Sequence, residues 1–242
     1  APEKFVDSEV DLDEEVKRLG ALAGYPDLYP EFVRLNAVPS ILALLSHDNP
    51  DIAADAVELL NELTDADAVE SHEEGGRALV ASIVENSGYE LVEQCLTRFG
   101  TESNPEEVAV VHNVIGIVEN MVEIRPEAAG EFCASSSSSG GGGGGGGGLL
   151  RWLLKRISPK RATDNNKLYA AEVLAILVQS SEDNRLRLGE ADGVDMLLRA
   201  VAPYKSKDPA DEGEEEVLQN LFDVLCTAVM APENRERFVE CE

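Results

Sequence analysis

The chain has 242 residues, and its 20 Lys and Arg against 47 Asp and Glu give a formal net charge of -27. A negative field of this size disfavours non-specific binding to nucleic acids or anionic membranes and favours basic partners. An acidic surface that only keeps the protein dispersed would explain the charge equally well. Aromatic residues make up only 5%, which favours helices packed through aliphatic side chains over a β-sandwich.

The first clear elements in chain order are two amphipathic helices in the range 36–65. The first helix is indicated by apolar residues at the spacing i, i+3, i+4, i+7, namely Val38, Ile41, Leu42 and Leu45. Asn49 is a suitable cap for the second helix, followed by Pro50 at the first helical position and Asp51 in the first turn. The buried stripe of that second helix is formed by Ile52, Ala56, Leu59, Leu60 and Leu63.

The same pair of helices recurs three more times, at 89–123, 149–177 and 194–229. Equivalent positions such as Leu44, Cys95, Leu153 and Leu197 recur at uneven intervals that approach armadillo spacing once insertions are allowed. The segments 182–190 and 233–240 would be the shorter first helix of a three-helix armadillo unit, whereas two helices per unit would indicate HEAT repeats. We predict an all-α, armadillo/HEAT-type right-handed superhelical solenoid.

This pattern predicts an N-terminal extension at residues 1–10 and a repeat array at residues 11–242. A Ser/Gly tract at 135–148 interrupts the array, and we expect it to be a flexible loop, either natural or engineered. The last residues enter what we expect to be a further helix, so we also expect the array to be truncated at its C-terminus. Acidic residues peak between Asp208 and Glu216, where we expect an exposed loop.

No catalytic pattern is present. The sequence contains no GxSxG motif, phosphate loop or dinucleotide fingerprint. The three histidines are isolated, and the four cysteines are far apart and form no CxxC motif. No apolar run reaches the roughly 18 residues of a membrane span. We therefore predict a non-enzyme without cofactor, metal or membrane partner.

A run of basic residues stands out within this acidic chain. Because the leucines at 149, 150, 153 and 154 take the buried stripe, we expect Arg151, Lys155 and Arg156 to lie on the solvated face of their helix. The residues would then form either an ordinary solvated face or a patch for an acidic partner or RNA.

Several less regular strings go beyond a general armadillo pattern. They are HDNPDIAADAVELLNELTD (47–65), VHNVIGIVENMVEIRPE (111–127), LLRWLLKRI (149–157), NKLYAAEVLAILVQ (166–179) and NLFDVLCTAVMAPENRERF (220–238). In this order they resemble the N-terminal half of the armadillo domain of the beta-catenin-like protein 1 family. The resemblance runs from about Val10 onward and is interrupted by the Ser/Gly tract.

The resemblance implies a nuclear, non-catalytic scaffold of the spliceosome. Its expected partners are splicing factors with Lys/Arg-rich, nuclear-localisation-like segments, including a Myb-domain component of the Prp-nineteen-type complex. Two alternatives remain, namely an importin-alpha-like nuclear transport receptor and a subunit that only packs between larger partners. The importin-alpha type uses a ladder of Trp and Asn on successive third helices, whereas this chain has only Trp152, on an expected second helix.

The third helix of an armadillo unit lines the groove, where a common pattern is A-x-x-x-L-x-N-L with a peptide-binding Asn. Aligning Ala56 and Leu60 with this pattern places Glu62 at the Asn position. The same alignment on the second repeat places Asn120 there, next to Glu119. We therefore predict that Glu62, Glu119 and Asn120 line a peptide-binding groove.

Overall fold

The computed structural model describes residues 5–134 and 148–241, and these residues form helices and turns without any strand. They divide into two compact units, Ala1–Arg125 and Pro126–Glu242. The predicted all-α repeat class is confirmed. Residues 135–147 of the predicted flexible tract lie outside the described residues.

From residue 5 onward, the first unit is built from eight α-helices. They are α1 (Val6–Leu19), α2 (Tyr29–Arg34), α3 (Val38–Leu44), α4 (Pro50–Leu63), α5 (Ala66–Val69), α6 (Glu73–Glu85), α7 (Gly88–Phe99) and α8 (Pro105–Ile124). Helices α2–α4 and α6–α8 form two successive three-helix repeats. Equivalent helices stack on each other, because α2 packs on α6 and α4 packs between α1 and α8. Three helices per repeat is the armadillo arrangement rather than the HEAT arrangement.

The predicted start signal of α4 is confirmed, and α8 begins with the same kind of cap. The side-chain oxygen of Asn49 accepts a hydrogen bond from the Asp51 backbone N–H at 3.0 Å. Asn104 accepts one from the Glu107 backbone N–H at 2.8 Å. Each cap satisfies a backbone donor that the helix itself leaves unpaired.

Helix α1 starts at Val6, so it runs across the predicted boundary between extension and array at residue 10. Helix α6 was not picked out by its apolar pattern, because Gly75 and Gly76 lower the helix propensity of its first turn. Both glycines are buried, and a Cβ on Gly75 would lie 2.5 Å from the carbonyl oxygen of Pro26. Close packing against neighbouring elements therefore requires glycine in the first turn of α6.

The described residues of the second unit form seven α-helices. They are α9 (Ala128–Ala134), α10 (Gly148–Arg156), α11 (Asn165–Ser180), α12 (Glu182–Glu190), α13 (Gly193–Val201), α14 (Glu212–Ala228) and α15 (Pro232–Glu240). Equivalent helices of successive repeats again pack on each other. The first helices α9, α12 and α15 form one stack, the second helices α10 and α13 another, and the third helices α11 and α14 a third. The predicted first helices at 182–190 and 233–240 are confirmed.

Two buried asparagines join successive first helices in this unit. Asn184 Nδ2 donates to the carbonyl oxygens of Ala129 and Leu177, each at 2.9 Å. On α15, Asn234 Nδ2 donates to the carbonyl oxygen of Arg185 at 2.7 Å and to that of Ala228 at 3.0 Å. Each asparagine thus satisfies carbonyls from the preceding first helix and from the end of the preceding third helix.

The acidic segment at 208–216 is only partly a loop. Helix α14 begins at Glu212, and Asp211 caps it by accepting from the backbone N–H of Glu214 at 2.8 Å. The prediction of an exposed loop was therefore wrong for its second half. Acidic residues there favour the first turn of a helix, where the helix dipole stabilises negative charge.

Candidate peptide-binding groove

An acidic cleft runs between α1 and α4 in the first unit. It consists of two adjoining cavities of about 190 and 540 Å³ that share Lys17 and Asp55. Among the residues that the structure describes, seven acids and one lysine line the two cavities. The acidic residues are Glu9, Asp13, Asp51, Asp55, Glu58, Glu62 and Glu106. The cleft is therefore strongly negative and open to solvent along one side.

The wide end of the cleft also has an apolar wall. Val6, Val10, Ile52 and Ala54 line the larger cavity together with its acids. Val6 and Val10 are each about half exposed. A cleft of this kind can hold the methylene stem of a Lys or Arg side chain while its charged head meets a carboxylate.

Polar contacts fix α1 against α4 along the cleft. Lys17 Nζ lies 2.8 Å from Asp13 Oδ2 and 3.4 Å from Asp55 Oδ2, which joins the two helices. Closer to the start of α4, Asn49 Nδ2 donates to Glu9 Oε2 at 3.2 Å. The cap of α4 thus also holds the N-terminal half of α1.

The carboxyl groups of Asp13 and Asp55 perturb each other. Burial and the neighbouring Asp13 carboxyl raise the pKa of Asp55 to about 6. Hydrogen bonds from Asp55 and Lys17 lower the pKa of Asp13 below its usual value. Two carboxyl groups that share a site resist being ionised together, so this part of the cleft favours an added cation or proton.

The structure brings Glu62 into this cleft and separates it from the other two predicted groove residues. Glu62 is exposed on the last turn of α4 and lines the smaller cavity with Glu58. Glu119 and Asn120 are half-buried on α8, and neither lines the α1–α4 cleft. The three predicted groove residues therefore do not share one cleft, since Glu62 lines the α1–α4 cleft and the other two lie on α8.

Asn120 forms a contact that the sequence pattern missed. Its Nδ2 atom lies 3.5 Å from both the carbonyl oxygen and Oδ1 of Asn61 on α4. Asn61 directly precedes Glu62, and the motif alignment passed over it because it assigned one residue per repeat. The sequence did contain a signal for this contact, because Asn61 and Asn120 each lie beside the buried stripe of their helix and the two helices stack on each other.

The predicted basic patch is only partly exposed. Arg151 and Lys155 are exposed on α10, as expected. The placement of Arg156 on the solvated face was wrong, since this side chain is 2% exposed and its Nη2 lies 2.6 Å from Asp164 Oδ1. Arg156 follows Leu153 by three positions, and such neighbours share a helix face, so it lies beside the buried stripe.

Within residues 5–134 and 148–241, no group of three or more His, Cys, Asp or Glu side chains is placed to hold a metal ion. Among the helices described, none is both long and apolar enough to cross a bilayer.

Trp152 lies on α10, the second helix of its repeat, as the sequence predicted. Three-helix repeats whose third helices stack, with a charged cleft along one of them, define an armadillo-type repeat protein.

Comparison with known proteins agrees with this class. The chain belongs to the family described as "Catenin-beta-like, Arm-motif containing nuclear", whose model matches residues 1–242. It is 45% identical to beta-catenin-like protein 1 of Homo sapiens over 241 residues. The homologue from Schizosaccharomyces pombe is 32% identical over 243 residues. Each match covers 100% of this chain and 40% of the relative, so the chain spans less than half the length of these proteins. The resemblance predicted from the sequence is confirmed.

Solved structures of low identity were also found. An engineered protein has a TM-score of 0.44 and 16% identity, with 90% of each chain covered. A designed armadillo repeat protein has a TM-score of 0.42 and 14% identity, with 89% of this chain and 92% of the other covered. These likenesses are weak and add nothing to the family assignment.

Proposed function

We propose that this chain is a non-catalytic scaffold that binds Lys/Arg-rich, extended segments of other proteins in the cleft between α1 and α4. The observation that carries the proposal is the lining of that cleft, in which the described residues include seven acids and one lysine. A basic segment would neutralise carboxylates that now repel one another. Such complementarity speeds association and selects partners of opposite charge.

The chemistry of the cleft favours lysine or arginine over other cations. Its acidic side chains alternate with the exposed valines of α1, so a long aliphatic stem with a charged end can satisfy both. Asp55, with its pKa raised to about 6, gains most from a cation because a nearby positive charge favours its ionised form. A small hydrated ion would leave the apolar wall uncovered.

The cellular role belongs to the same proposal. The family description contains the word "nuclear", and the resemblance to beta-catenin-like protein 1 extends over the whole chain. The basic segments are then nuclear-localisation-like sequences of splicing factors, including a Myb-domain component of the Prp-nineteen-type complex. The chain acts in the nucleus as an adaptor of the spliceosome.

Affinity capture from nuclear extract, followed by mass spectrometry, tests this role. The bait is the chain itself, compared with a variant in which Glu58→Lys and Glu62→Lys reverse the charge of the smaller cavity. The matched control reverses Glu215 and Glu216, two exposed acids on α14. We expect splicing factors with Lys/Arg-rich segments to be recovered by the natural chain and the control and to be lost with the cleft variant. Equal recovery by all three baits would exclude the cleft as the binding site.

A further inference from the structure

A second cavity, of opposite character, lies in the second unit. It has a volume of about 280 Å³ and is bounded by the segment joining α10 to α11, by the turn after α13 and by the start of α14. Its floor is apolar and includes the buried side chains of Ile157, Val217 and Leu221. The cavity is separate from the acidic cleft and is not used by the proposed function.

Basic side chains dominate the polar part of this cavity. Arg161, Lys167 and Lys207 line it together with one acid, Glu214. Thr163 and Tyr204 add hydroxyl groups. Three positive charges against one negative charge make this a locally positive site in a chain whose net charge is -27.

Lys167 is the most unusual of these cations, since it is only 6% exposed. Its Nζ donates a hydrogen bond at 3.1 Å to the carbonyl oxygen of Arg161, which is a neutral group. Burial and the positive charge of Arg156 lower the pKa of Lys167, and the negative charges of Asp164 and Glu214 oppose this shift only in part. A buried ammonium group costs free energy unless an anion compensates it.

The carboxylates near the cavity already have other donors. Asp164 is 2.6 Å from Arg156 Nη2 and accepts from the backbone N–H of Lys167 at 2.9 Å. Glu214 accepts from the backbone N–H of Ala210 at 2.6 Å and hydrogen-bonds Tyr204. Lys207 Nζ is 3.7 Å from Glu214 Oε1. Asp164 is thus engaged by Arg156, and Glu214 is the acid that faces Lys207 in the cavity.

We propose that this cavity is a binding site for the phosphate group of a phosphorylated serine or threonine in a partner peptide. A phosphate monoester carries about -1.5 to -2 charges at neutral pH and three strong acceptor oxygens. That charge matches the lining of three basic residues and one acid, and the ammonium and guanidinium groups are its usual donors. A single carboxylate would supply half the charge.

The surroundings of the cavity favour a peptide over a nucleic acid. Asp208 is exposed just before α14, and Glu212 and Glu215 are exposed in the first turn of α14, next to Glu214 of the cavity. An extended polyanion would bring further phosphates against these acids, whereas a peptide carries one phosphate and can place Lys or Arg residues next to them. The partner is therefore a phosphopeptide with basic flanking residues.

The experiment is a fluorescence anisotropy titration with a ten-residue peptide that contains one phosphoserine flanked by Lys and Arg. The unphosphorylated peptide and a single-stranded RNA of equal length are the comparison ligands. To silence the acidic cleft, the protein carries Glu58→Lys and Glu62→Lys throughout. Lys167→Gln and Lys207→Gln probe the cavity, and Lys205→Gln is the matched control, because Lys205 is exposed and does not line the cavity.

We expect phosphorylation to tighten binding about tenfold, as for one charge-assisted contact. Each cavity variant should remove this gain, and the Lys205 control should keep it. If Lys167→Gln impairs folding, the exposed Lys207 still decides the question. Equal affinity for both peptides, equal loss in the control, or displacement of the phosphopeptide by the RNA would each overturn the proposal.

Discussion

Replacing the buried Asn184 by Ala should destabilise the second unit substantially. Asn184 is fully buried, and its amide group donates to the carbonyl oxygens of Ala129 on α9 and Leu177 on α11. Alanine removes both donors and leaves two buried acceptors without them. An unsatisfied buried polar group costs about 1 to 3 kcal/mol. We therefore expect the free energy of unfolding to fall by about 2 to 4 kcal/mol.

Urea denaturation followed by circular dichroism measures this loss, with the slope m compared between variants. The control is Asn165→Ala, which changes an exposed asparagine at the start of α11 and should shift stability by less than about 0.5 kcal/mol. A loss below about 0.5 kcal/mol for Asn184→Ala as well would refute the reasoning. It would mean that water or a rearranged backbone satisfies both carbonyls.

Three further predictions follow from single side chains. The folded-state pKa of Asp55 is raised from 3.8 to about 6, so its stabilising contribution is complete below pH 3.8 and is lost as the pH rises through about 6. Asp55→Asn should therefore stabilise the first unit at pH 7.5 more than at pH 5, measured by thermal unfolding at both pH values, and an equal effect would contradict this. Gly189→Ala should destabilise the second unit, since its Cβ would lie 1.8 Å from Asn234 Oδ1, and an unchanged urea midpoint would contradict that close approach. A thiol reagent should modify Cys226 and Cys241 quickly in the native protein and the two buried cysteines only after unfolding, whereas rapid reaction of all four thiols would show that the core is open.

Helix pairs and their caps could be predicted from sequence because both depend on local chemistry. The stripe from Ile52 to Leu63 and the Asn49 cap each need only the spacing of residues within one or two turns. Helix α6 is different. Its two glycines are poor helix formers, and their positions have room for no larger residue because other elements pack against them. Local propensity cannot reveal such a contact.

The site was harder to predict than the fold for a related reason. Glu62 was found because a motif fixes its place on α4, and it does line a charged cleft. The opposite wall of that cleft is α1, which begins inside the predicted N-terminal extension. Arg156 was misplaced because a long polar side chain can still be buried when a carboxylate such as Asp164 meets it.

The most direct test of the account is calorimetric titration of a Lys/Arg-rich peptide into the natural chain and two charge-reversal variants, each at low and at physiological salt. Glu58→Lys with Glu62→Lys changes the cleft, and Glu215→Lys with Glu216→Lys changes the net charge equally on α14. We predict that affinity falls as salt rises, because screening shortens to about 8 Å at physiological ionic strength. We also predict that the cleft variant loses far more affinity than the α14 variant at each salt concentration. Equal losses in the two variants would show that the peptide responds to the general negative field, and would contradict the α1–α4 cleft as the binding site.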